Sequence, residues 1–376
     1  MHERYRLREV ALVFLKLGFF SFGGPAAHTA MMEEEVVKRR KWIDRQHFLD
    51  LLGATNLIPG PNSTEMTMHC GHERAGLAGL IVAGLSFILP AVLITSVFAW
   101  LYVEYGHLPE IEPYIFGIKP AVLAIIASAI ISLGKKAVKG LETAILGALV
   151  LAAGIAGVNE ITALLVAGIT GTLYFYLKNN RKEKLSSLIP LMAMPAVSTA
   201  VSGISALGLF WAFLKIGAVL YGSGYVLFAY IDAELVTRGW LNHEQLMDAI
   251  AVGQFTPGPI LSTVTFIGYI LGGIPGAVAA TAGAFLPSFL FVLILNPWIP
   301  RMRRSKIMGW FLDSVNVASI AVMASVLFVM TMSTVTGWRS ALITGISLVV
   351  TFVFKKSSPV LLVAGGSVAG ALLLLI

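Results

Sequence analysis

Two stretches almost two hundred residues apart, NLIPGPNSTE at Asn56 to Glu65 and QFTPGPILST at Gln254 to Thr263, carry the same Pro-Gly-Pro triplet. A helix cannot run through either one. Pro59 and Pro61 have no N–H for the carbonyls of Thr55 and Leu57, and Pro257 and Pro259 likewise fail Gly253 and Phe255. The setting makes such breaks costly. Of the 376 residues, 57% are hydrophobic and 12% charged, against roughly 25% charged in an ordinary soluble domain. Apolar runs long enough to cross a bilayer, about 20 residues each, recur along the whole chain, as in an all-α polytopic membrane protein. Broken backbone at membrane depth is tolerated only where it is buried in protein or lines a watery cavity.

The two triplets are landmarks of an internal repeat. FLKLG at Phe14 to Gly18 matches FLKIG at Phe213 to Gly217, Trp42 meets Trp240, Asp50 meets Asp248, and Leu89-Pro90 meets Leu286-Pro287. Repeats of this kind mark one structural unit used twice, here 1–188 and 189–376. Each copy reads as a long helix (8–38 or 205–236), the Pro-Gly-Pro element, and a helix ending near Val103 or Pro297. Three further spans follow at 113–135, 140–157 and 160–177, and at 308–333, 338–354 and 358–376.

Short cytoplasmic loops hold an excess of Lys and Arg. The basic loops are Lys135, Lys136 and Lys139; Lys178, Arg181, Lys182 and Lys184; Arg301, Arg303, Arg304 and Lys306; and Lys355 and Lys356. The alternate loops, EYGHLPEIEP, GVNE and STVTGWR, are poor in them. The pattern fits five crossings per copy, with each Pro-Gly-Pro element a re-entrant helical hairpin. An odd number of crossings inverts the second copy, giving about ten transmembrane helices in all. Lys38 to Arg45 then fall inside, the counterpart near Arg238 outside, and Arg4, Arg6 and Arg8 outside.

Secondary transporters built from inverted repeats place their sites at paired helix interruptions, with half-helix N-termini aimed at anionic substrates. Pro61 and Pro259 suit the first turn of a new helix. The N–H groups of Asn62, Ser63 and Thr64 would then form an anion site at the positive end of the dipole, with Gly60 and Gly258 at the turns. In the second copy only Ser262 and Thr263 are polar, so the first copy is expected to supply more of the contacts. Lys16 and its repeat equivalent Lys215 lie well inside apolar helices, where a lysine usually faces a cavity or partner. They are assigned to charge compensation of the anion, although a lysine can also snorkel. Gly23 and Gly24 follow Lys16, interrupt the helix with Pro25, and permit close approach to substrate or to a neighbouring helix. Glu65, directly after the first break, is assigned to proton coupling, since a carboxylate and an anion share a buried site only if the carboxyl takes up a proton. Its alternative is a pair with a basic group such as Lys16. Glu33, Glu35, Asp232 and Glu234 are expected near helix ends, solvated or paired with Arg39 and Arg238.

Several classes drop out. Cys70 is the single cysteine, so no disulfide framework is possible. His69, Cys70, His72 and Glu73 are potential metal ligands, but they lack the order of a zinc protease and have no counterpart near Gly268; no metal or cofactor is expected. There is no Walker-type phosphate loop, and no basic stripe interleaved with aromatics of the kind that binds nucleic acid. MHERYRLREV precedes an apolar run but no small-residue cleavage site follows, so the start is read as mature.

FLKLGFFSFGGPAAH, KWIDRQHFLDLLGATNLIPGPNSTEM, GLSFILPAVLI and FGIKPAVLA closely resemble the first domain of the chromate ion transporter family. FLKIGAVLYGSGYVLFAYIDAELV, LNHEQLMDAIAVGQFTPGPILSTVTFIGY and GAFLPSFLFVLI resemble its second domain. The resemblance covers nearly the whole chain in the long, two-domain form. It implies a secondary transporter in the cell membrane that exports chromate in exchange for protons, with sulfate, a tetrahedral isostere, as a further substrate. The partners implied are chromate or sulfate, protons and membrane lipid, with homodimerisation left open. A passive anion channel and a sulfate uptake carrier are the alternatives; an enzyme is not expected.

Overall fold

Each repeat opens on two helical hairpins. The computed structural model describes residues 2–22, 24–179, 204–221, 224–295, 305–354 and 358–374. Gly23, the 188/189 boundary and most of the basic residues near 181–184, 301–304 and 355–356 lie outside the described residues.

The single long helix expected over 8–38 is instead α1 (His2–Phe20) and α2 (Gly24–Met32), the latter continued by a π-helical turn, Glu33–Arg39. These run back along each other. Lys16 Nζ lies 2.7 Å from Glu35 Oε1, Arg40 donates to Glu9 at 2.8 Å, and the Trp42 indole donates to the same carboxylate at 3.4 Å. The reversal has a local cause: Pro25 has no N–H for the Ser21 carbonyl four residues earlier. In the second copy the expected helix over 205–236 is divided in the same way, into α8 (Ala206–Val219), a 3₁₀ turn (Gly224–Val226), α9 (Leu227–Ile231) and a π turn, Asp232–Val236. Lys215 reaches Glu234 at 2.7 Å, repeating the 19-residue spacing of the first pair.

The second hairpin contains the Pro-Gly-Pro triplet. Helix α3 (Arg45–Thr55) starts where the Asp44 side chain accepts the His47 N–H, and its counterpart α10 (His243–Phe255) starts on a capping box formed by Asn242 and Gln245. Helix α4 (Asn62–Tyr105) is interrupted at Ala75 and Gly76, with Gly76 at φ 61° and ψ −150°. The counterpart α11 (Thr263–Leu295) is interrupted at Gly272 and Gly273, with Gly273 at φ 61° and ψ −152°. The helices expected to run unbroken to Val103 and Pro297 therefore fold back on themselves, α4a (62–74) against α4b (77–105) and α11a (263–271) against α11b (274–295). Absence of side chains lets them touch: Gly71 lies against Gly79 and Ala83, and Gly268 against Gly276 and Ala280.

Both ends of the 45–74 segment lie together. His47 is 3.3 Å from Glu73, and Arg74 donates to Glu9 at 2.7 Å. Glu9 thus ties the start of α1, the loop at Arg40 and the end of α4a into one cluster. This corrects the placement of the N-terminal basic residues, because Arg4, Arg6 and Arg8 fall on the same side as Lys38 to Arg45.

The rest of each copy is three helices: α5 (Glu112–Ala137), α6 (Leu141–Ile155) and α7 (Glu160–Asn179), then α12 (Lys306–Thr334), α13 (Trp338–Val353) and α14 (Pro359–Leu374). Five described helices are long and apolar enough to cross a membrane: α4, α5, α7, α11 together with the 3₁₀ turn Ile260–Ser262 before it, and α12. The chain is a multi-pass all-α membrane protein.

The copies interlock by exchange. Helix α5 packs on α13 and α14 of the second copy, whereas its equivalent α12 packs on α6 and α7 of the first. Lipid offers no hydrophobic gain for such contacts, so small residues that admit close packing carry them. Gly117 on α5 meets Gly366 and Gly370 on α14, and Gly168 and Gly171 on α7 meet Val315 and Ser314 on α12. At the centre α4 crosses α11. The largest buried cluster draws on both copies, from Ile126 and Leu164 to Phe213, Tyr230 and Val322.

With buried Cys70 replaced, Arg6→Cys and Lys41→Cys should react with a membrane-impermeant thiol reagent from the same face. Labelling from opposite faces would contradict the fold-back of α1 on α2.

Candidate functional site

The four broken helix ends meet in pairs. The Gly60 N–H donates to the Leu220 carbonyl at 2.7 Å, and the Gly258 N–H donates to the Ser21 carbonyl at 3.0 Å. Leu220 and Ser21 are repeat equivalents, as are Gly60 and Gly258, so each Pro-Gly-Pro turn closes on the first break of the opposite copy. The acceptor is free for a reason visible at Ser21, whose intrahelical donor would have been Pro25. His28, buried, also points its Nε2 at the Ser21 carbonyl, at 3.2 Å.

Glycine is required at both turns. Gly60 has φ 142° and Gly258 φ 84°, conformations that side chains oppose. Space is also lacking. A Cβ on Gly258 would lie 3.1 Å from Ala91 Cβ, and one on Gly60 would lie 2.5 Å from Ser288 Oγ and overlap the Glu65 carboxyl. Ala91 and Ser288 are equivalents, so the surroundings repeat as the backbone does.

The side chains do not repeat. In the first copy Glu65 is fully buried and neither oxygen has a hydrogen-bond partner. Ser288 lies beside it against Gly60, and the Ser288, Thr64 and Tyr221 hydroxyls are also buried without partners. In the second copy Thr263 stands in place of Glu65 and bonds its own turn through the Ile260 carbonyl at 2.8 Å. Thr95 of α4b reaches Thr256 at 3.3 Å and Ser262 at 3.5 Å.

The residues expected at the anion site are only partly brought together. Gly60, Ser63, Thr64 and Glu65 cluster at the first break and Gly258, Ser262 and Thr263 at the second, while Gly24 lines a cavity beside Gly258. Asn62 is half-exposed and donates to Asn56 at 2.7 Å. Pro61 is the residue before the helix, not its first, and the Thr64 N–H is taken by the Pro61 carbonyl at 2.8 Å. The Ser262 N–H is taken by Pro259 in the same way, at 2.9 Å. The expected trio of free N–H groups is therefore short of Thr64.

Lys16 and Lys215 are paired with carboxylates on the π turns, Glu35 and Glu234. Glu35 also receives Arg39 at 3.3 Å, and Glu234 is paired with Arg238. The alternative pairing of Lys16 with Glu65 is replaced by Lys16 with Glu35. The π turns themselves, at equivalent positions in both copies, have no sequence signature; neither does the contact of Tyr102 with Asp248 at 2.7 Å. Ser21 could have been found from Pro25 four residues on.

The comparisons with known proteins fit this duplicated architecture. The model of the chromate transporter family matches twice, at 8–172 and 207–371. The chain belongs to the chromate transporter family. A chromate transport protein of Cupriavidus metallidurans is 31% identical over 97% of this chain and 93% of its own length. A probable chromate transport protein of Synechococcus elongatus is 30% identical over 99% of this chain and 97% of its own, and a chromate transport protein of Pseudomonas aeruginosa is 30% identical over 80% and 76%. No solved structure matches. As a member of this family the chain is a transporter and not an enzyme.

Gly258→Ala should destabilise this transporter by about 1 to 3 kcal/mol, the usual cost of overpacking with left-handed backbone added. Gly60→Ala should cost more, because its Cβ has the closer neighbours. Thermal unfolding of the detergent-solubilised protein checks the order, and equal stability of all three would mean the turns relax freely.

Proposed function

We propose that the chain is a proton-coupled secondary transporter that exports a tetrahedral oxyanion, chromate with sulfate as its isostere, across the plasma membrane. The observation that carries this is the reciprocal closure of four helix breaks, Gly60 on Leu220 and Gly258 on Ser21, in a family some of whose members bear the name chromate transport protein. Paired interruptions at a repeat interface are where secondary transporters bind their ions.

An inverted arrangement of two copies, with the Pro-Gly-Pro hairpins re-entrant, is part of the proposal. Helix α4b supports it. Just before its start, at the end of α4a, Arg74 is tied to Glu9 at the open end of the first copy's hairpins, and near its finish Tyr102 donates to Asp248 on α10. Lys119, on α5, lies 3.6 Å from Glu244 in the first turn of α10. The open ends of the two copies' hairpins thus lie toward opposite ends of one long helix. Arg238→Cys should then label from the face opposite to Lys41→Cys.

Glu65 is the proposed coupling group. It is buried at the first break with no ion-pair partner, and a proton is what would let it share the interior with a dianion. Protein in liposomes should accumulate labelled chromate or sulfate against its own gradient when only a pH gradient is imposed. Absence of flux for both ions sinks the transport reading, and flux that never exceeds equilibrium makes the chain a passive channel. Glu65→Gln should retain oxyanion binding measured without a gradient but lose the response to pH. Unchanged proton dependence in that variant removes Glu65 from the coupling.

A further inference from the structure

The two breaks also differ in how the amide that precedes each Pro-Gly-Pro triplet is held. Asn56 and Gln254 are repeat equivalents, and in the first copy Asn56 accepts from Asn62. The residue equivalent to Asn62 is Ile260, which offers nothing. Gln254 is held instead by its oxygen, which accepts from the Tyr225 hydroxyl at 3.5 Å. Its Nε2 is left without a partner although the residue is only 8% exposed. An amide with two unused N–H groups is costly to bury.

Gln254 lines a cavity at the Ser21–Gly258 closure, together with Thr256, Ser358 and Val360. Ser358 immediately precedes α14, whose first residue is Pro359. The cavity therefore opens on the N-terminus of a 16-residue helix, where the Val360 and Leu361 N–H groups precede the first residue able to bond within the helix and the dipole favours negative charge. None of the described residues lining the cavity is acidic. A site with amide donors, a helix N-terminus and no carboxylate suits an anion with several acceptor oxygens.

We infer, resting on the transport function proposed above, that this cavity is the oxyanion subsite: Gln254 Nε2 and the first turn of α14 donate to a tetrahedral dianion, and Tyr225 fixes the orientation of the amide. The polar side chains after the first break, Asn62 to Thr64, are then not the main contacts. The second copy binds the anion, and the first copy contributes the Glu65 carboxyl.

The test is equilibrium binding of radiolabelled chromate, and separately of sulfate, to the purified full chain. Gln254→Leu removes the donors at similar size. Ser358→Asp sets a carboxylate at the helix terminus while keeping a side chain suited to begin a helix, so it should fold as the wild type does even if Gln254→Leu does not. Each variant should bind the anion about ten-fold more weakly or worse, as expected for a lost hydrogen bond to a charged ligand, while Asn62→Ala should stay close to wild type. Wild-type affinity in Ser358→Asp, or a larger loss in Asn62→Ala than in Gln254→Leu, overturns the assignment. Failure of the wild type itself to bind either oxyanion overturns the transport reading instead, so the two failures are told apart.

Discussion

Backbone groups left over by a broken helix have no water to turn to inside a membrane, and each one unsatisfied costs several kcal/mol. That requirement organises the molecule. Four breaks leave backbone donors and acceptors without helical partners, and two hydrogen bonds, Gly60 to Leu220 and Gly258 to Ser21, join them across the copies. At those closures the turns are glycine by backbone angle and by lack of space, and around them α4 crosses α11 while α5 and α12 each pack on the other copy. The side chains around the closures can then vary without disturbing the backbone, and they do, from Glu65 to Thr263 and from Asn62 to Ile260.

Much of this was legible in the sequence. The repeat, its register and the importance of both Pro-Gly-Pro triplets follow from residue identities, and the family follows from longer motifs. The fold-back of α1 on α2 was not. Hydropathy cannot separate one thirty-residue helix from two half-helices lying side by side, since both bury the same apolar residues and begin and end in the same polar ones. The informative feature was Pro25 four residues after Ser21, which frees a carbonyl. Without the fold-back, the partner of Lys16 is out of reach as well: a pairing at 19 residues makes sense only across a reversed chain.

The candidate site was half legible for a different reason. A break can be read from proline, but the identity of its partner is a tertiary fact. Gln254 carries no local mark of being special; it matters because Ile260 fails to bond it, Tyr225 holds one end of it, and α14 arrives from more than a hundred residues away. Asp248 is similar. It is the repeat equivalent of Asp50, yet only Asp248 has Tyr102 at 2.7 Å and Lys119 at 3.8 Å, because α4b and α5 meet α10. Symmetric backbones give the two copies a common frame, and asymmetric neighbours give each frame its own chemistry.

The reciprocal closures also impose an order in time. Gly60 leaves the ribosome long before Leu220, and at about 5 to 20 residues per second the interval between them is on the order of ten to thirty seconds. Throughout it the Gly60 N–H is without its acceptor and the Glu65 carboxyl without Ser288 beside it, and Ser21 waits longer still for Gly258. The newborn first half is therefore incomplete in its polar pairing until its second half arrives. Any interruption of synthesis between the copies would strand it in that state.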